Sequence, residues 1–230
     1  MVICGVAIDS KDEKKLVRIG VKDSKELTPK KREAFALEIE KIAKHIIVLR
    51  IPACKIYTYR KKGIKLNEIE AVKMAEIINM IKPDKVFIDS PGINVQRFKK
   101  MIIEHLKNRK IKMVAENFAD RNYPIVSAAS VIAKVERDKV IEEIKQEVGF
   151  DFGVGYSHDS RSIKFLEKIL TTYKQKPNFV RWHWSTVKEL ATELLRKGVK
   201  LQPWVKKEIL KESWQKRIKD FFIKNKSKSE

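Results

Sequence analysis

Cysteine and long apolar runs are both scarce in this 230-residue chain. Cys4 and Cys54 lie in apolar surroundings without the spacing of metal ligands, and we interpret them as buried, reduced thiols of a cytoplasmic protein. No apolar stretch approaches the roughly 20 residues that a membrane-spanning helix needs. No cationic start followed by an apolar segment suggests a secretory signal. Disulfide-rich secreted proteins and membrane proteins are therefore not expected.

Acidic residues are few relative to basic ones. The chain has 30 Asp and Glu against 51 Lys and Arg, which gives a formal net charge of +21. A surplus of this size favours a polyanionic partner, because phosphate binding releases condensed counterions. The high charged content beside only 13 Asn and Gln is also typical of thermophilic proteins, in which lysine serves solubility and ion pairs. That alternative explains the number of charges but not their sign, so nucleic acid remains the favoured partner.

The apolar pattern predicts an α/β protein followed by a helical C-terminal part. Strands are predicted at 2–8, 45–51 and around the apolar runs KVFID and IKMVAE. The predicted helices are 29–44 with Thr28 as N-cap, one capped by Asn67 and ended by Pro83, 95–108, a long helix from Tyr123 to near Gly149, 163–173, 185–196 and a last lysine-rich helix beginning at Pro203.

Two aspartates mark the ends of consecutive predicted strands. Asp89 closes KVFID, a helical stretch follows, and Asp120 comes just after IKMVAE. Strand, helix and strand within about thirty residues form a βαβ unit, whose two strands are parallel. Because parallel strands end at the same edge of a sheet, both carboxylates should emerge on one side, where α/β proteins place their chemistry. Converging acids in a basic protein suggest divalent metal ions acting on a phosphodiester, although two acids are too few for that chemistry alone.

The order of the motifs resembles ribonuclease HII, the type 2 ribonuclease H, in its archaeal form. The motifs that carry the resemblance are GVKDSKELTPKKRE, KVFID, AENFADRNYPIVSAASVIAKVERD, GVGYSHDSRSIKFL and RWHWST, which together span about residues 2–195. The resemblance implies a ribonuclease H-like mixed five-stranded sheet flanked by helices. It also implies hydrolysis of the RNA strand of RNA–DNA hybrids, and of single ribonucleotides embedded in DNA, by two Mn²⁺ or Mg²⁺ ions held by four acids.

The same resemblance assigns roles to particular side chains. Asp89 and Asp120 match the third and fourth catalytic, metal-binding carboxylates. Lys25 matches a phosphate-contacting lysine, although an ordinary surface lysine explains it as well. Tyr156 matches a tyrosine that stacks at the RNA–DNA junction. Ser127 and its neighbour Ser130 could donate to a phosphate, and close packing of small residues explains them equally well.

Some segments depart from the family pattern. The family's opening strand carries an Asp-Glu pair, the first two metal ligands, and lies in the middle of the sheet, whereas Met1 falls where the second family strand begins. The nearest spare acids are Asp9, Asp23 and Glu116, and none stands where that pair would be. We hypothesise that the parent gene encodes the missing strand. Smaller departures are Asn117-Phe118 in place of His-Lys and Ser157-His158 in place of Pro-Ser; His158 is expected to be a solvated loop residue, with a proton-shuttle role as the alternative.

The last residues contain a separate signal. Gln215, Ile218, Phe221 and Phe222 have the Q-x-x-I-x-x-F-F spacing of motifs that dock proteins onto the replication sliding clamp. An amphipathic terminal helix that covers core is the alternative. Three parts are therefore predicted: a catalytic domain at 1–150, a helical subdomain at 151–202 and a basic, clamp-binding tail at 203–230.

Three functions are consistent with the sequence. The first is a metal-dependent endoribonuclease that acts on RNA–DNA hybrids. The second is a catalytically dead, clamp-tethered module that only binds hybrids, and the missing acid pair discriminates between these two. The third is a general basic RNA-binding protein, such as a ribosome-associated factor, for which metal would be irrelevant.

Overall fold

The structure, a computed structural model, describes residues 1–20, 27–92 and 94–210, with side chains described as far as residue 208. A 3₁₀ turn at Ser10–Asp12 precedes the first helix, and a π-turn at Lys206–Leu210 follows the last. The strands are β1 (Val2–Ala7), β2 (His45–Arg50), β3 (Lys85–Asp89) and β4 (Lys112–Glu116). The helices are α1 (Glu13–Arg18), α2 (Pro29–Ile42), α3 (Ala53–Lys61), α4 (Leu66–Ile81), α5 (Val95–Glu104), α6 (Ala119–Asn122), α7 (Pro124–Val148), α8 (Ser160–Thr172), α9 (Ser185–Arg196) and α10 (Pro203–Val205).

The chain forms two compact units, Met1–Glu143 and Ile144–Glu230. In the first unit β1 pairs with β2 in antiparallel fashion, from Val2 opposite Arg50 to Ala7 opposite His45. Strand β3 pairs with β4 in parallel, with α5 as the intervening helix, so the predicted βαβ unit is confirmed. Within the described ranges the strands form these two pairs rather than one five-stranded sheet.

Helix α4 packs on both strand pairs. Its Ile69 and Ile77 share an apolar cluster with Ile3 of β1, and its Ala75 shares another with Ile88 of β3. The glycine in β1 makes the first contact possible, because a Cβ at Gly5 would overlap Ile77 Cγ2. One helix therefore packs on both pairs, and no strand among the described residues connects them by hydrogen bonds.

Helices α2 and α7 form a third cluster with the β1–β2 pair. Its buried members are Leu16, Ala36, Ile39, Ala128, Val131, Ile132 and Val135. Cys4 and Val48 pack against this cluster from the two strands. Ala128, near the start of α7, therefore allows close packing against this cluster.

Local signals located most helix ends but not all. Thr28 is confirmed as the N-cap of α2, since its hydroxyl accepts from the Lys31 amide at 3.4 Å. Helix α4 begins one residue ahead of Asn67, so the prediction of Asn67 as N-cap is wrong: Lys65 is the cap, and its amide donates to Glu68 Oε2 at 2.8 Å. The helix ends at Ile81 because Pro83 disfavours helical geometry at Lys82, which takes the left-handed conformation (φ 52°).

Other boundaries also differ from the prediction. Helix α5 stops at Glu104 rather than at residue 108, and α8 begins at Ser160 because Asp159 caps it. The short helices α1 and α3 were not predicted, since six and nine residues carry little periodic signal. Both cysteines are free and half-buried rather than buried.

The second unit is helical in its described part, as predicted. Helices α8 and α9 bury apolar faces that include Phe165, Leu170 and Val187. Trp182 is buried, donates from Nε1 to the Pro177 carbonyl at 2.8 Å and packs edge-on against Trp204. It is therefore a core residue of the second unit. None of the helices in the described ranges combines the length and apolar character that crossing a membrane requires.

Candidate active site

The carboxyl ends of β3 and β4 place two acids side by side. Asp89, the last residue of β3, stands in register with Glu116, the last residue of β4. The chain continues past β3 through Ser90, whose amide donates to the Glu116 carbonyl at 2.8 Å, so the strand ends stay paired. Asp89 itself is exposed. This edge carries the predicted site.

A tight turn brings the second predicted acid to this edge. Phe118 takes the left-handed conformation (φ 59°, ψ 33°) and reverses the chain from β4 into α6. Such a conformation costs about 1 kcal/mol for a non-glycine residue and persists only where its surroundings impose it. The Ala119 amide then donates to Asp89 Oδ1 at 3.1 Å. Asp89 thus contacts the backbone of the residue directly before Asp120.

Asp120 is buried, with 4% of its surface exposed. Its Oδ1 atom has no hydrogen-bond donor among the described residues. Leaving a buried carboxylate oxygen without a donor costs free energy, about 1–3 kcal/mol or more for a charged group. An atom of this kind at a sheet edge is suited to a bound cation, because the cation would supply the missing interaction.

Glu116 fixes the segment that carries Asp120. Its Oε1 accepts from the Tyr123 hydroxyl at 2.6 Å and its Oε2 from Asn122 Nδ2 at 3.0 Å. The Tyr123 and Asn122 hydrogen bonds hold the pKa of Glu116 below its ordinary value, and the bond to Glu116 raises the pKa of Tyr123. Glu116 therefore stays ionised. It connects the end of β4 to Asn122, the last residue of α6, and to Tyr123, which links α6 to α7.

Ser127 completes the support of Asp120 from inside the protein. Its side chain is 1% exposed, and its hydroxyl donates to the Asp120 carbonyl at 2.5 Å. In place of the predicted phosphate contact, the structure gives Ser127 an internal role, because its one hydroxyl proton is already used. The serine holds the backbone of α6 against α7.

Tyr156 lies in the second unit, on a loop before α8. It is 36% exposed, and its ring stacks on that of His158 with centroids 5.4 Å apart and planes 13° apart. Asp159 holds the loop by accepting from the Val154 amide at 2.7 Å and from the Arg161 amide at 2.9 Å. These backbone donors keep the pKa of Asp159 below its ordinary value against the opposing effect of burial.

Comparisons with known proteins decide the family. The family model described as Ribonuclease HII matches residues 1–187. The chain belongs to the ribonuclease HII family. It is 38% identical over 207 residues to Ribonuclease HII of Methanosarcina barkeri, an alignment that covers 87% of this chain and 92% of that relative. Members of this family are endoribonucleases, so the fold and the enzyme class predicted from the sequence are confirmed.

Two solved structures support the same assignment. The structure of the PCNA:RNase HII complex from Archaeoglobus fulgidus contains a chain that is 39% identical, with a TM-score of 0.73 and coverage of 82% of this chain and 88% of that one. Ribonuclease H2 from Pyrococcus horikoshii is 35% identical, also with a TM-score of 0.73, and the match covers 85% of this chain and all of that one.

The residues present fit part of a ribonuclease HII metal site. Asp89 and the unpaired Oδ1 of Asp120 are hard oxygen donors of the type that Mg²⁺ and Mn²⁺ prefer. The described part of the chain nevertheless brings no three His, Cys, Asp or Glu side chains together in a metal-binding group. Both Glu116 oxygens are engaged in hydrogen bonds, and Asp9 pairs instead with Lys44 at 3.6 Å. Neither Glu116 nor Asp9 therefore adds a third ligand to Asp89 and Asp120 in this arrangement.

Several predicted site residues lie outside the described residues. These are Asp23, Lys25 and the clamp-binding set Gln215, Ile218, Phe221 and Phe222. The structure places Asp89, Asp120 and Ser127 together at one edge, and it places Tyr156 in the other unit. Sequence reasoning missed the positioning role of Glu116. A signal for this role was available in the sequence. Glu116 ends the apolar run IKMVAE in the same way that Asp89 ends KVFID.

Proposed function

We propose that this chain is an endoribonuclease that hydrolyses the RNA strand of RNA–DNA hybrids, and ribonucleotides embedded in duplex DNA, with Mn²⁺ or Mg²⁺. The observation that carries the proposal is the unpaired, buried Oδ1 of Asp120 beside the Asp89-bound start of α6. Membership of the ribonuclease HII family supports the reaction class. The net charge of +21 suits a polyanionic substrate.

Asp89 and Asp120 are the residues that would hold a divalent cation. Such a cation lowers the pKa of a bound water and stabilises charge on the phosphate oxygens. The protein's own contribution is to fix the two carboxylates: β3 and α6 hold Asp89, while Ser127 and Glu116 hold the backbone around Asp120. Two carboxylates leave the donor set incomplete. We propose that an opening strand with the family's Asp-Glu pair supplies the rest.

Asp89→Asn tests this proposal. Two forms of the protein are prepared, one that begins at Met1 and one extended by the residues encoded upstream. Each is incubated with Mn²⁺ and a fluorescently labelled RNA–DNA hybrid. We expect cleavage of the RNA strand by the extended protein, and loss of nearly all turnover in its Asp89→Asn variant, because that change removes a metal ligand. Hybrid affinity should stay within about threefold of the parent.

The control substitution is Asp84→Asn, which changes an exposed aspartate just before β3. Near-normal cleavage by Asp89→Asn would contradict the assigned role. The absence of an Asp-Glu stretch in the upstream codons would remove the opening-strand hypothesis.

A second candidate function is a hybrid-binding module without catalysis. The specific observation in its favour is that no group of three metal-binding side chains exists in the described ranges. The same assay separates the two candidates. Hybrid binding without cleavage by either form of the protein would favour the binding module.

The C-terminal segment supports a further proposal about a partner. We propose that Gln215, Ile218, Phe221 and Phe222 dock on a replication sliding clamp. In a short helical turn, this spacing would place the apolar side chains on one side, which suits a hydrophobic pocket. The related Archaeoglobus fulgidus protein was solved as a PCNA:RNase HII complex, which supports the same kind of partner here.

Replacing both Phe221 and Phe222 with alanine tests the docking. Titration calorimetry of the full chain with a purified archaeal clamp should show an affinity loss of at least tenfold, because the two rings would fill the pocket. A synthetic 210–230 peptide should compete with the wild-type chain. Lys226→Ala in the same segment is the matched control. Equal affinity of the double variant and the wild type would contradict the proposal.

A further inference from the structure

The loop that carries Tyr156 is held rigidly from within. Ser162 Oγ accepts from the Gly155 amide at 2.9 Å and donates to the Phe152 carbonyl at 2.9 Å. The Asp159 amide donates to the Tyr156 carbonyl at 3.1 Å, which closes a turn around Ser157 and His158. The Ser162 side chain, in the first turn of α8, and the amide of the cap residue Asp159 therefore fix the entry and the exit of this turn.

Gly153 allows the Asp159 carboxylate to reach the loop backbone. Its φ of +82° lies in the left-handed region, and a Cβ at this position would overlap Asp159 Oδ2. Any side chain there would push Asp159 away from the Val154 amide. The glycine and the aspartate thus act as one unit that sets the path of the loop.

The base of the loop is anchored in the core of the second unit. Phe152 is buried and stacks on Phe165 of α8, with ring centroids 4.9 Å apart and planes 9° apart. Phe165 in turn contacts Phe150 and Tyr173. A loop anchored at its base and fixed at its turn presents its tip without the usual loss of conformational entropy on binding.

Two exposed rings occupy that tip. Tyr156 and His158 are stacked almost parallel, 5.4 Å apart, and both are exposed. Their exposure distinguishes this pair from Phe152 and Phe165, the buried rings at the base of the loop. Pre-organised aromatic rings on a basic protein are the means by which many proteins stack nucleobases or sugars.

We infer that His158 is a further binding contact that extends the Tyr156 ring into a two-ring stacking platform for a base or sugar of the bound nucleic acid. The inference rests on the proposed function, because it assigns His158 to the binding of the same hybrid. It gives His158 a role in place of the solvated loop residue that the sequence favoured. Asp159 and Ser162 act as positioning residues for the platform.

The test measures hybrid affinity by fluorescence anisotropy with the full chain and a labelled RNA–DNA hybrid in EDTA, so that cleavage makes no contribution. His158→Ala should weaken binding about fivefold or more, at the low end of the effect of losing one base-stacking ring. His158→Phe should restore affinity to within about twofold, because stacking needs the ring and not its nitrogens. His45→Ala, which removes an exposed ring from β2, is the matched control and should leave the hybrid affinity unchanged.

Salt dependence and a double variant separate stacking from other contacts. The slope of log affinity against log salt should be the same for His158→Ala and wild type, because a stacked ring releases no counterion. A slope reduced by about one would identify a phosphate contact and overturn the stacking role. Tyr156→Ala combined with His158→Ala should weaken binding by less than the product of the single effects, since the rings act together.

The possible failures are distinguishable. Wild-type chain that does not bind the hybrid would overturn the proposed function and this inference together. Wild-type binding with an unchanged His158→Ala variant would overturn only the inference. Thermal midpoints of the variants within about 2 °C of wild type would show that the loop still folds.

Discussion

At the scale of single residues, the site is organised around the backbone of Asp120. The Ala119 amide contacts Asp89, the Asp120 carbonyl accepts from Ser127, and Glu116 holds Asn122 and Tyr123. Ala119, Asp120, Asn122 and Tyr123 each contact a neighbouring element through a bond that fixes α6. The carboxylate oxygen Oδ1 of Asp120 is left without a donor in the described part of the chain. Leaving this buried oxygen without a donor lowers the stability of the fold, as is common where proteins bind ligands.

Asp120→Asn is expected to separate stability from metal binding. In EDTA the variant should be as stable as wild type or up to about 1 kcal/mol more stable, because a neutral amide is less costly to bury than an unpaired carboxylate. Mn²⁺ should raise the melting temperature of the wild type and not that of the variant. Differential scanning calorimetry with EDTA and with Mn²⁺ measures both effects.

The control for this substitution is again Asp84→Asn, at an exposed position. A variant of Asp120 that is less stable by more than about 1 kcal/mol in EDTA would show that the carboxylate has a structural role. An equal Mn²⁺ response in variant and wild type would show that the cation binds elsewhere.

At the scale of secondary-structure elements, α4 is the helix that packs against both strand pairs. It packs against β1 through Ile77 and against β3 through Ala75 and Ile78, although within residues 1–20, 27–92 and 94–210 the two strand pairs share no hydrogen-bonded ladder. The edges of β1 and β3 that face away from their partners are therefore held by side-chain packing and not by a described strand. A strand that added there would gain main-chain hydrogen bonds at both edges.

Gly5→Ala tests the close approach of β1 to α4. The new methyl group would overlap Ile77 Cγ2, so the strand or the helix must shift. Overpacking of this kind lowers the free energy of unfolding by about 1–3 kcal/mol. Urea unfolding followed by circular dichroism measures the change.

Gly92→Ala is the matched control for this prediction. A Cβ at Gly92 would meet only Asn67 Nδ2, at an ordinary contact distance of 3.4 Å, and a change within about 0.5 kcal/mol is expected. Similar stability of Gly5→Ala and wild type would mean that α4 does not press closely on β1.

At the scale of the whole molecule, some of the excess positive charge is paired with acids between helices, and Asp138 is the clearest case. Arg32 of α2 is 7% exposed and donates to Asp138 Oδ2 of α7 at 2.8 Å. Lys134 and Arg137 contact the other oxygen, at 3.2 Å and 3.0 Å. Burial opposes ionisation of Asp138, but these cations hold its pKa below the ordinary value. One carboxylate therefore contacts three basic residues, one on α2 and two on α7.

The lowered pKa of Asp138 predicts acid sensitivity of the fold. A carboxylate whose pKa is lower in the folded state stabilises the fold above its unfolded pKa of about 3.9, and this contribution is lost as the pH falls through the folded value. Asp138→Asn should lower the free energy of unfolding at pH 7 by about 2 kcal/mol, a figure reduced for the partial exposure of the pair. Thermal melts from pH 7 to pH 2 should show the difference from wild type shrinking below about pH 4.

Glu38→Gln serves as the control, because Glu38 forms an exposed ion pair with Lys41 on α2. Its melting temperature should follow that of wild type across the same pH range. A constant difference between Asp138→Asn and wild type from pH 7 to pH 2 would show that Asp138 contributes through packing and not through its charge.

The sequence by itself determined the βαβ unit, the placement of Asp89 and Asp120 at one edge, most helix ends and the family. These features depend on short-range patterns: apolar periodicity, proline and capping residues act over a few positions, and parallel strands must end at the same edge. Tertiary structure decided which groups meet. The Ser127 hydroxyl is used internally, Glu116 supports the turn that carries Asp120, the strands form two pairs, and Tyr156 stacks on His158. The physical reason is that a side chain's hydrogen bonds depend on its burial and on residues brought near by the packing of separate elements, which a local pattern does not contain.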